Sequence, residues 1–154
     1  MTQYEDLEPC DYFGIEASAH LIAIGWLAQD RTFTMADVSE AVFEKLCRLS
    51  QDPWCPVVWA GVHYCEFCRF TGGNGTTHFK GYSISGFASS CLFVPGDGFL
   101  FVAPTSIAHM IDAHGYRPPE AFCEAVLRCP EMRTVAYLKA VLANGGRGLG
   151  DVGR

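Results

Sequence analysis

Charge is scarce in this 154-residue sequence, and positive charge is the scarcer kind: 11 Lys and Arg stand against 17 Asp and Glu, a net charge of −6. Nucleic-acid binding depends on clustered basic residues that release counterions. The 11 here are scattered, which argues against a nucleic-acid partner. Long apolar runs are also missing. The longest, such as Leu21 to Ile24 and Phe99 to Ala103, fall far short of the roughly 20 residues that span a bilayer. An export signal would open with basic charge, whereas this sequence opens with Glu5, Asp6 and Glu8. These absences predict a cytoplasmic protein with no membrane segment.

Apolar residues, by contrast, make up 49% of the chain and aromatics 13%. A chain of this length buries roughly 70% of the surface its unfolded form exposes, so one core suffices and metal is not needed merely to compensate for small size. Residues 1–144 are expected as a single globular domain. Residues 145–154, with five glycines and no apolar periodicity, are expected as a flexible glycine-rich tail. The eight cysteines lack the export context of a disulfide scaffold. Cys47, Cys91, Cys123 and Cys129 sit in apolar patterns, where a reduced cysteine acts as a small buried hydrophobe. Cys65 and Cys68 do not.

Local patterns suggest strands first and helices last. His20 to Leu27 reads as a buried strand followed by a turn at Gln29–Arg31, with Phe33 starting the return. Asp37 and Glu40 fit a capping box, with Val38, Val42, Leu46 and Leu49 at helical spacing up to Pro53. Val57 to Val62 reads as a strand leading into His63, and Gly72 to Gly75 as a plain loop, because it lacks the Gly-Lys-Ser/Thr ending of a phosphate cradle. Ser90 to Val94 and Phe99 to Val102 flank Pro95-Gly-Asp-Gly98, a hairpin signal. Helices follow from Thr105 to His114 before Gly115, from Pro118-Pro119 onward, and from Thr134 to Ala143 before Asn144-Gly145. The order predicts an α+β fold, a small mostly antiparallel sheet packed with C-terminal helices.

The chemistry gathers at His63-Tyr-Cys-Glu-Phe-Cys68. Residues two apart on a strand point to one side, so His63 and Cys65 can converge, and Cys68 can fold back if the chain turns at Glu66-Phe67. Cys-x-x-Cys is the short chelate loop of zinc knuckles, and a neighbouring imidazole strengthens the metal reading over a redox pair. Soft thiolates with imidazole favour Zn2+, though iron shares these ligands. No second Cys-x-x-Cys supplies the remainder of a tetrahedral shell. Candidates are His109, His114, Cys91 and His78. At 100° per residue His114 shares a face with Ile107, Met110 and Ile111, where a core or dipole-stabilised histidine is the plain alternative. His109 falls on the opposite, less apolar face and ranks first. His20 and His78 read as ordinary surface or strand histidines.

The strings Ala23-Ile-Gly-Trp-Leu27, Gly61-Val-His-Tyr-Cys-Glu-Phe-Cys68, Phe101-Val-Ala-Pro104, His109-Met-Ile-Asp-Ala-His114 and Tyr116-Arg-Pro-Pro-Glu-Ala-Phe122 resemble a family of small bacterial proteins of unknown function over most of residues 12 to 143. Its pattern is Gly-x-His-x-Cys-x-x-Cys followed by His-Tyr-Ile-x-x-His-x-Tyr-x-Pro-Pro, with Met110 here in place of the usual tyrosine. The resemblance implies a shared His and Cys site and no known activity. Two functional classes follow: a non-enzymatic zinc domain acting on a protein partner, or a zinc hydrolase or deaminase with an open coordination position and Glu66 or Asp112 as base. The His-x-Glu and Pro-Cys-x-x-Cys signatures of zinc deaminases are missing. The fourth coordination position, side chain or water, separates the two classes.

Overall fold

Tight turns built on glycine shape both sheets. The computed structural model describes residues 3–14, 19–57, 64–68, 76–85 and 90–151. Strands β4 (Cys91–Pro95) and β5 (Leu100–Pro104) form the expected hairpin, in register from Cys91 opposite Pro104 to Pro95 opposite Leu100. Its turn closes with the Gly96 N–H donating to the Phe99 carbonyl at 2.8 Å, and Gly98 takes the left-handed φ of 84° that a side chain resists. Strand β1 (Leu21–Ala23) pairs with β5 in parallel, Leu21 beside Leu100, giving the order β1-β5-β4. The His20–Leu27 strand of the sequence reading is therefore much shorter. It stops because Gly25 turns left-handed, at φ 73°.

A second hairpin, β2 (Thr76–Phe79) with β3 (Tyr82–Ser85), was not expected from the sequence. Lys80 and Gly81, at φ 44° and 84°, form its two-residue connection. Both angles are positive, as a type I′ turn requires. This hairpin packs on helices α1 (Glu40–Leu49) and α2 (Ile107–His114), where Phe43, Cys47, Ile84 and Ala108 form a small cluster of their own.

Helix α1 begins later than the Asp37 capping box implied. Ser39 is its cap, the hydroxyl accepting from the Val42 N–H at 3.3 Å. The residues before it are committed elsewhere: the Ala36 N–H donates to the Gly115 carbonyl, the Arg117 N–H donates to that of Thr34, and the Arg117 guanidinium holds the Asp37 carbonyl. Helix α3 (Glu120–Arg128) starts where Pro118-Pro119 places it, and α4 (Val135–Ala143) starts and stops where its signals do, with Thr134 as cap. Both pack on β4, the Tyr137 hydroxyl donating to the Phe93 carbonyl, and Phe122 also lies edge-on to Phe101 of β5. The result is one α+β domain.

In the expected flexible tail, Gly146–Asp151 winds as a 3-10 helix and Leu149 is fully buried in the main core. Burial of Leu149 offsets part of what the glycines cost in chain entropy. Among the described residues no helix is long and apolar enough to cross a membrane.

Candidate metal centre

Strand β5 ends at Pro104, and two residues later the chain enters α2 with Ile107, Ala108, His109 and Met110 all buried. That first turn carries the His109 ring into the protein, only 8% exposed. Its neighbours Asp112 and Ala113 on the less apolar face are exposed, but the His109 ring itself is covered. The other end of α2 closes unusually. Both Gly115 and Tyr116 donate their N–H groups to the Met110 carbonyl, five and six residues back, instead of the four of a regular helix. The His109 and His114 rings stand nearly perpendicular with centroids 5.1 Å apart.

Facing them is the Cys65–Cys68 turn, closed by the Cys68 N–H donating to the Cys65 carbonyl at 3.3 Å. The backbone N–H groups of Phe67 and Cys68 also serve the Cys65 sulfur. Phe67 fixes the turn from the side, lying 5.6 Å from the His114 ring and 5.7 Å from Phe33. The Gln29 side-chain amide donates to the Glu66 carbonyl and ties the turn to the 26–34 loop.

Four donors meet as a result. The Nε2 atoms of His109 and His114 lie 3.3 and 3.4 Å from the Cys68 sulfur, and the His114 Nε2 lies 3.4 Å from that of Cys65. All four ligand atoms fall within 4.8 Å of one another, so Cys65, Cys68, His109 and His114 form a group that can hold a metal ion. A tetrahedral zinc with Zn–S near 2.3 Å and Zn–N near 2.0–2.1 Å sets its S···N edges at roughly 3.6 Å. The observed edges are close to that figure.

Electrostatics suit the imidazoles to ligation. Burial lowers the His109 pKa, His114 lowers it further, and Asp112 only partly opposes them; burial alone lowers His114. Both rings are thus held neutral, with lone pairs available. Burial pushes the Cys65 thiol up, against the two backbone N–H groups that favour its thiolate. A cation at the centre would reverse that balance.

The sequence reading treated His109 and His114 as alternatives; the fold brings both to the cysteines. His63, expected beside Cys65, lies outside the described residues, as do Val58 to Val62 and the Gly72 to Gly75 loop. Cys91 is buried in β4 and stands apart from the group, and His20 and His78 are exposed, as ordinary histidines are. Glu66 and Asp112 are exposed and contribute no oxygen to the cluster. All eight cysteines are free thiols, with Cys47, Cys91, Cys123 and Cys129 buried as expected.

Comparison with curated proteins and with solved structures gives no match. A family model does match, over residues 2–127, a span that holds the whole Cys and His group and ends within α3. The chain belongs to the family described as Domain of unknown function (DUF7919).

Proposed function

We propose that Cys65, Cys68, His109 and His114 bind one Zn2+ as a closed structural centre, and that the domain acts through a protein partner instead of by turnover. The observation that carries this reading is the convergence of two imidazole nitrogens on the Cys68 sulfur, with a second thiol completing the set. A single S–H proton can satisfy only one of those nitrogens, whereas a cation at the centre engages all four donors. Two thiolates and two imidazoles in a tetrahedral arrangement suit zinc above harder divalent ions. The spacing Cys-x2-Cys with His-x4-His also falls within that of structural zinc sites.

Four protein ligands leave no position for a reactive water, and this favours the structural role over a hydrolase or deaminase. The ion's task is then to clamp the 65–68 turn onto helix α2. Such a site exists only in the folded chain, so its binding free energy adds to folding.

Metal analysis of protein purified without chelator tests the proposal. About one zinc per chain is expected, and Co2+ in its place should give the visible spectrum of a tetrahedral thiolate centre. Protein that emerges metal-free and takes up neither ion would overturn it.

A further inference from the structure

A groove of about 680 Å3 opens between the N-terminal segment and the 26–34 loop. Small-ligand pockets span roughly 300–1,000 Å3. Its aromatic walls are fixed. Tyr4 stands edge-on to Trp26 at 5.5 Å and its hydroxyl donates to Asp11, while the Trp26 indole N–H donates to the Val102 carbonyl at 2.9 Å. Phe33, also lining the groove, is held edge-on by Phe67 and by Tyr116.

Charge in the groove is unbalanced. Glu5, Asp6 and Asp30 line it against one cation, Arg31, which pairs with Glu5 at 3.5 Å. Asp6 receives both its hydrogen bonds from neutral groups, the Gly25 N–H and the Tyr116 hydroxyl, each at 2.8 Å. Among the described residues no basic side chain pairs with Asp6 or Asp30. Two carboxylates without a counter-ion among the described residues thus border the aromatic rings.

We propose that this groove receives the guanidinium group of an arginine presented by a partner protein. Guanidinium forks onto a carboxylate in a plane and stacks on an aromatic face, a combination that a compact ammonium does not match. A neutral ligand would leave both charges unanswered. The exposure gradient favours an arginine carried on a chain over a free molecule: of the lining acids Glu5 and Asp30 are exposed and Asp6 is half-buried. The inference rests on the partner-binding reading given above and names the chemistry of the partner.

The test uses zinc-loaded, 15N-labelled protein titrated with the tripeptide acetyl-Gly-Arg-Gly-amide. Saturable shifts are expected at the Trp26 indole N–H and at amides 4–6 and 26–34. Asp30→Asn, at an exposed position, should weaken binding about fivefold or more without altering the fold. The citrulline tripeptide, isosteric but uncharged, should give no saturable shift. An absent response, equal binding of the citrulline or lysine tripeptide, indifference to Asp30→Asn, or binding of free agmatine alone would each overturn the assignment. Metal analysis of the same samples separates the two readings: zinc retained with a silent groove removes this inference and leaves the metal centre standing.

Discussion

The Nε2 atoms of His109 and His114 both rest against the sulfur of Cys68, at 3.3 and 3.4 Å, whereas the Cys65 sulfur meets His114 alone. Cys68 is the hinge of the group, and Cys68→Ser should abolish tight zinc binding. Loss of a structural metal belongs to the few single changes that cost more than about 4 kcal/mol. In a chain of this size that lowers the melting temperature by roughly 8–16 °C. Glu66→Gln, at an exposed side chain, should leave zinc content unchanged and stability within about 0.5 kcal/mol. Calorimetry with metal analysis on both variants checks the contrast.

Acid should destabilise the metal-free protein. The native pKa values of His109 and His114 lie below their ordinary value, chiefly through burial. In the unfolded chain both titrate near 6.5, so below that pH the unfolded state binds more protons and gains relative to the native one. The histidine contribution is fully present above about pH 7 and is lost as pH falls from about 6.5 through the depressed native values. Urea unfolding of chelator-treated protein at about pH 7.5 and about pH 5.5, on either side of the unfolded value, measures the difference. The double variant with asparagine at both positions should show a flatter profile, and equal slopes would contradict the account.

Gly25 is constrained twice. Its φ of 73° is left-handed, and a Cβ there would come within 3.1 Å of the Ile107 side chain at the start of α2. Gly25→Ala should therefore destabilise by about 1–3 kcal/mol, combining backbone strain with crowding. Denaturant melts of the zinc-loaded protein measure it, and a neutral result would mean that Ile107 moves aside without cost.

Leu149 offers a check on the C-terminal segment. It is fully buried inside a run of glycines, and Leu149→Ala should cost about 2–5 kcal/mol. An unchanged melting temperature would show that the 3-10 helix is not docked in solution.

The legible parts of the sequence were those written in turn and cap chemistry. Gly98 marks the β4–β5 hairpin, Gly115 the end of α2 and Thr134 the start of α4, and each lies where its residue type implies. The β2–β3 hairpin does alternate, with Thr77, Phe79, Tyr82 and Ile84 on the packed side, but its strands are four residues long and its connection is Lys-Gly, without the Asn-Gly or Asp-Gly that marks such turns. Cys65 and Cys68 announced themselves by spacing. The pairing of His109 with His114 did not, since a uniform 100° per residue sends them to opposite faces. The folded side chains nevertheless bring their rings to 5.1 Å and both Nε2 atoms to the Cys68 sulfur, a placement that side-chain patterns do not record.

The parallel pairing of Leu21–Ala23 with Leu100–Val102 sets a schedule for the chain as it is made. At 5–20 residues per second, the N-terminal strand waits about 80 residues, some 4–16 seconds, before its partner exists. The adjoining hairpin has no such delay, because its strands leave synthesis together. Strand β5 thus reaches the folding chain already paired on one side, and β1 must dock onto the free edge that remains. The sheet is completed by its earliest strand, and until then the Leu21 and Ala23 side chains have no core to enter.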